Sequence, residues 1–179
     1  PQARLILLAP TWRGPLPTVM GGHRPWFDRL WRLVDLPGLG PPIYRLNVNR
    51  LVLRRMAVGH VYSDPAFLSA ERLREKLAVT RAPGARFASV RFVAGRLDPL
   101  ASREAFLDLA HRAAAPILVI YGAETPSRSR AEMEALAALP GVRSVRLPRG
   151  KLAVHEEFPD AVADAVEAFL RDAPDAAAR

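Results

Sequence analysis

Apolar and polar positions divide this chain into two kinds of pattern. In RLILLAP, residues 4–10, apolar residues run without alternation and stop at Pro10. That is the pattern of a parallel strand buried on both faces. PILVIYG at 116–122 repeats it, and VRSVRLP at 142–148 reads as a third strand. Between these two, SRSRAEMEALAALPG sets Met133, Leu136 and Leu139 at helical spacing and stops at Pro140-Gly141. PDAVADAVEAFLRD, 159–172, places Val162, Val166, Phe169 and Leu170 on one helical face. Strand, helix, strand and helix with short links predict a right-handed parallel unit.

The stretch between the first two strands follows the other pattern. TWRGPLPTVMGGHRP, 11–25, is dense in Pro and Gly and reads as loop. Trp26, Phe27, Leu30, Trp31 and Val34 then share a helical face until PGLGPP breaks it. Val48, Leu51, Val52 and Met56 predict one helix over 47–58. Asp64 as N-cap and Pro65 at the first helical position predict another, reaching about Val79. Residues 85–94 fit a strand by alternation and a helix by the spacing of Phe87, Val90, Arg91 and Ala94. Gly95 as C-cap favours the helix, and Asp98-Pro99 reads as the start of one more, reaching about Ala114.

The fold class expected is therefore α/β, parallel strands with a helical cap inserted between them. The expected division is a core from 1–10 and 115–173, a cap or lid over 11–114, and a flexible tail at 174–179. Ligands of such sheets bind at the carboxyl ends of the strands. The loops after Ala9, Tyr121 and Leu147 are expected to share that edge beneath the insertion.

Composition narrows the chemistry. Half of the 179 residues are apolar, enough for a core. With no cysteine, disulfides, thiol catalysis and cysteine-bound zinc are excluded, which fits a reducing, cytoplasmic setting. No apolar run approaches the roughly 18–20 residues of a membrane span. PQARLILLAP lacks the marks of a signal peptide and reads as strand. The net charge is +8, and Lys occurs only at Lys76 and Lys151. The arginines are scattered, so a generally basic surface is expected and no nucleic-acid partner. No P-loop, no G-x-G-x-x-G and no metal-spaced histidine pair occurs, so neither cofactor nor metal is expected.

Two C-terminal segments, PILVIYGAETP and LPRGKLAVHEEFPDAVADAVEAFL, resemble the acid-bearing strand and the histidine strand, loop and closing helix of the α/β-hydrolase superfamily. RLILLAP is similar to the strand after the nucleophile helix, and RPWFDRLWRL through FLDLA to the cap. The resemblance covers nearly the whole chain and implies the C-terminal portion of an α/β-hydrolase fold. It also implies a Ser, Asp or Cys nucleophile on a sharp turn, commonly a G-x-S-x-G elbow, followed in chain order by an acid and a histidine. No such elbow lies within the chain. The nucleophile is expected upstream of Pro1, and the chain is expected to be a fragment that folds poorly alone.

The family pattern departs at both remaining positions. Where G-x-x-D would place the acid after Gly122 stands Thr125, with Glu124 one step earlier. Glu124 reads either as the orienting carboxylate or as a solvated acid favoured at a helix start. Asp98 in GRLDP spells the motif better but lies in the cap stretch. The residue after Gly150 is Lys151, a base only if burial lowers its pKa by several units. His155, four places later, is the remaining base. It reads otherwise as a packed residue paired with Glu156 or Glu157. His23 is a loop candidate near a ligand, whereas His60 and His111 read as structural. Trp12, Trp26, Phe27 and Trp31 read first as packing, and otherwise as lining for an apolar acyl group.

The expected function is hydrolysis of an ester or similar small apolar substrate, with Glu124 and His155 as an atypical acid and base. The alternative is a catalytically inactive binding or scaffolding protein on the same fold.

Overall fold

The computed structural model describes residues 3–172, so the tail expected at 174–179 lies outside the described residues. The chain forms two compact units. One comprises Pro1–Thr11, His60–Ser63 and Ser102–Arg179, and the other Trp12–Gly59 and Asp64–Ala101.

The first unit is built on a three-stranded parallel sheet in the order β1-β2-β3. Its strands are β1 (Leu5–Leu8), β2 (Ile117–Gly122) and β3 (Val142–Leu147). Leu5 stands opposite Ile117, and Gly122 opposite Leu147. All six residues of β2 are buried. That explains its unbroken apolar run, because a central parallel strand has no solvent face.

Alternate residues of β2 serve different cores. Leu118 and Ile120 pack with Leu147, Val154, Val162 and Phe169. Ile117, Val119 and Tyr121 pack with Met133 and Leu136. Helix α10 (Pro159–Asp172) therefore covers one face of the sheet and α8 (Ser127–Ala137) the other. Each buried aliphatic side chain contributes roughly 1.5–3 kcal/mol. Helix α7 (Arg103–His111) joins the α8 face through Phe106, Leu107 and Ala110. The Arg103 guanidinium also meets the mostly buried Glu132 carboxylate of α8 at 2.9 Å. At β1 the run is less protected, with Leu5 and Leu8 exposed.

The second unit is helical. It contains α1 (Pro15–Val19), α2 (Pro25–Asp35), α3 (Gly40–Asn47), α4 (Arg50–Met56), α5 (Ala70–Thr80) and α6 (Ala85–Val93). Phe27, Val34, Tyr44, Leu73, Leu77 and Ala94 are buried. An Arg91–Asp35 ion pair joins α6 to the end of α2.

Four sequence expectations change here. Residues 11–25 contain the short α1, which Pro15 can open because the first turn needs no N–H from it. The helix expected over 47–58 holds only the last residue of α3 and then the whole of α4, which runs on into a π turn at Ala57–Val61. The break is at Asn49, whose side chain accepts from the Leu51 and Val52 amides and starts α4 afresh. Asp64 caps only a 3₁₀ turn at Pro65–Phe67, and Ser69 caps α5. Asp98 is not the cap of α7, a role taken by Ser102. The Asp98 carboxylate accepts instead from the Gly14 amide at 2.9 Å. Of residues 85–94, Ala85–Val93 are helical as expected and Ala94 is the C-cap.

Candidate active site

Parallel strands send their carboxyl ends to one edge, so the exits of β2 and β3 meet. The Ala123 amide donates to the Leu147 carbonyl at 2.9 Å. One residue on, the Glu124 amide donates to the Gly150 carbonyl at 3.1 Å. The Gly150 amide returns a longer bond, 3.4 Å, to the Glu124 carboxylate. Thr125, where the family acid would stand, is buried, and its hydroxyl donates to the Lys151 carbonyl at 3.4 Å.

Two glycines permit this approach. A Cβ on Gly122 would lie 2.0 Å from the Gly150 carbonyl oxygen, so any side chain there drives the two loops apart. Gly150 itself has φ +104, a conformation other residues rarely adopt. Arg130, on the first turns of α8, donates to the Ala123 carbonyl at 3.0 Å and fixes the acid-bearing loop from outside. The β1 exit carries strain of its own. Ala9 has φ 44, in the left-handed region, while its amide donates to Ile120 at 2.8 Å.

His155 lies on the one-turn helix α9 (Val154–Glu157), which follows the Gly150–Lys151 loop. It is exposed, and no hydrogen bond or ion pair joins it to Glu124 or to any other described residue. Its neighbours are engaged elsewhere. The Tyr62 hydroxyl donates to Glu156 at 2.7 Å, and the Ser63 amide donates to Glu157 at 2.9 Å. The Ala153 amide donates to the Val61 carbonyl at 3.0 Å. These contacts hold the segment 60–63 against α9, with Tyr62 fully buried. The pairing of His155 with Glu156 or Glu157 is thus not formed. Sequence reading missed Tyr62 and Ser63 because their partners lie 94 residues away. The one available signal was the pair of adjacent acids at 156–157 ahead of a buried helix face.

The other candidates sit apart. His23 stacks edge-on to Phe27 at 5.2 Å and approaches Asp28 at 3.9 Å. Trp26 packs on Phe27, and the Trp31 indole N–H donates to Asp28 at 3.3 Å. His60 lies in the π turn Ala57–Val61, and His111 in the last turn of α7. Among the described residues no group of three or more His, Cys, Asp or Glu side chains is arranged to hold a metal. No described helix is long and apolar enough to cross a membrane.

No family model matches the sequence, and no curated protein does. Solved structures do match the fold. A hydrolase from Pseudomonas aeruginosa PA01 superposes with a TM-score of 0.61 at 22% identity, over 93% of this chain and 55% of that one. A thermophilic esterase from Thermogutta terrifontis gives 0.60 at 20% identity, with the same 93% and 55%. The enol-lactonase from Burkholderia xenovorans LB400 gives 0.57 at 20%, over 94% and 56%. The chain thus spans little more than half the length of these enzymes. With its parallel sheet, its β2 and β3 exits and this agreement in backbone, the chain carries part of the α/β-hydrolase fold.

Proposed function

We propose that this chain is the acid- and base-bearing part of an α/β hydrolase acting on an ester or similar small apolar substrate. The observation that supports it most is the reciprocal bonding of Glu124 with Gly150, which sets a carboxylate at the shared exit of two parallel strands. His155 follows on the next helix, exposed and uncommitted to any other described residue. In the reaction a nucleophile from the rest of the fold attacks the ester carbonyl. His155 takes the nucleophile's proton and returns one to the leaving alcohol. Glu124 accepts from the other imidazole nitrogen, holding the tautomer and balancing the imidazolium. The Glu124–His155 bond is one that forms in the substrate complex, where catalytic hydrogen bonds tighten.

The test is hydrolysis of short nitrophenyl esters by the gene's full-length product. His155→Ala is expected to lower kcat by about 10²–10⁴-fold, the usual share of a general base. Glu124→Gln should lower it less, with KM nearly unchanged. Full activity in His155→Ala would overturn the assignment.

A specific observation favours a second reading, a non-catalytic binding protein. Thr125 occupies the family's acid position and is buried and bonded to the Lys151 carbonyl, which closes that position to a proton relay. Saturable ligand binding with no ester turnover by the full-length product selects this reading over the first.

A further inference from the structure

The helical unit contains a cavity of about 680 Å³ that none of the foregoing uses. It lies where the end of α3, the start of α4, the end of α5 and the start of α6 meet. Arg45, Arg50, Arg81 and Arg86 line it, together with Tyr44 and Phe87. No Asp or Glu is among its lining residues. Some arginines elsewhere are ion-paired, Arg91 with Asp35, Arg103 with Glu132 and Arg130 with Glu134, and others among the described residues stand singly. Among the described residues, none of the four cavity guanidiniums makes an ion pair or a hydrogen bond. The Nε of Arg86 is buried without an acceptor, while its guanidinium lies over the Phe87 ring at 4.3 Å.

We propose that this cavity is a binding site for an organic phosphate, a phosphate monoester attached to an apolar body. Four like charges around one cavity repel one another, and a ligand with more than one negative charge relieves that repulsion. The planar fork of Arg matches phosphate oxygens two at a time, with charge-assisted bonds that are stronger than neutral ones. The apolar body follows from the remaining wall, where Phe87, Tyr44, Val48 and Pro41 offer rings and aliphatic surface. It follows too from the surroundings. Leu46 is 74% exposed beside Arg45, Leu51 76% beside Arg50, and Val79 72% beside Thr80. Isolated exposed aliphatic residues need no explanation, but two leucines and a valine, each next in sequence to a lining residue, fit an amphiphile. Such a phosphate has two sources, a soluble metabolite or the headgroup of an anionic lipid in a bilayer.

The experiment titrates the whole chain with hexyl phosphate, inorganic phosphate and hexanol, by calorimetry. Hexyl phosphate is expected to bind at least about tenfold more tightly than inorganic phosphate, and hexanol not measurably. Arg45→Gln and Arg86→Gln should each weaken hexyl phosphate by about tenfold. Arg74→Gln removes the same charge from α5 away from the cavity and should leave the affinity unchanged. Circular dichroism of each variant confirms that the helices persist. A second arm sediments the chain with phosphatidylcholine vesicles containing phosphatidic acid. Co-sedimentation that is lost in Leu51→Ser and Arg45→Gln supports the site with a lipid source. Hexyl phosphate binding without co-sedimentation supports it with a soluble source. The proposal fails if hexyl phosphate does not bind at millimolar concentration, or if Arg74→Gln weakens it as much as Arg45→Gln. It fails also if single-stranded RNA binds through these arginines while hexyl phosphate does not.

Discussion

The sheet unit and the helical unit both close on glycines that face a backbone oxygen, Gly122 in the first and Gly14 and Gly40 in the second, but they use their polar groups and charges differently. In the sheet unit, chain meets chain through backbone. Gly122 lies under the Gly150 carbonyl, and Ala123 and Glu124 bond directly to the β3 exit. Its acids Glu132, Glu156 and Glu157 are each engaged by a named partner. In the helical unit, order comes from side chains on short helices started by Asn49 and Ser69, and four cavity arginines are left without carboxylates. The difference teaches where each unit tolerates change. Both are constrained where a glycine meets a backbone oxygen, and the second depends further on capping side chains that substitution can replace.

The largest effect should come where a glycine is packed on backbone. Gly122→Ala is expected to cost about 3 kcal/mol or more, since its Cβ meets a backbone oxygen that cannot rotate aside. Gly59→Ala, in the π turn and with nothing within 4 Å of its added Cβ, should stay within about 0.5 kcal/mol of the parent. Urea denaturation of the two variants measures both. If they cost the same, contact with the Gly150 carbonyl is not what restricts Gly122.

A middle effect tests the helical unit's dependence on side chains. Asn49→Ala removes the acceptor for two amides at the start of α4 and should cost about 1 kcal/mol. Asn49→Asp keeps an acceptor there and should recover most of that loss in the same thermal melt. Equal melting of both variants would show that the break between α3 and α4 does not rely on this cap.

The smallest effect concerns pH. The Glu104 carboxyl in the first turn of α7 is held below its ordinary range, mainly by a hydrogen bond from its own backbone amide and then by the Ser102 hydroxyl. A depressed folded pKa means that the ionised group stabilises the fold above the ordinary carboxylate pKa. That contribution is lost as pH falls through the lowered value. Glu104→Gln should therefore lower the neutral plateau slightly, match the parent at low pH, and so flatten the acid limb of stability against pH. A variant as acid-sensitive as the parent would remove Glu104 from the account.

Much of the sheet unit was legible in the chain itself. PILVIYG places β2 to within a residue at its start, and 159–172 matches α10 at both ends. Buried parallel strands and amphipathic helices write their environment into every residue. The helical unit was harder to read because its breaks depend on one side chain turning back on the backbone. Asn49 sits inside an apolar spacing that continues on either side of it, so periodicity runs through the break. Asp64 and Asp98 have the composition of α-helix caps, yet Asp64 caps only a 3₁₀ turn and Ser69 and Ser102 cap the α-helices. In the candidate site, the meeting of the Glu124 and Gly150 loops follows from parallel strands and was foreseeable. The commitment of Glu156 to Tyr62 and of Glu157 to Ser63 was not, since it links segments that share no local pattern.

The paired bonds between Glu124 and Gly150, amide to carbonyl one way and amide to carboxylate the other, carry a corollary for how such a chain can drift over generations. Neither loop can gain or lose a residue alone without breaking the stitch. Lengthening is tolerated only when both change in step, so related sequences should show insertions here as matched pairs.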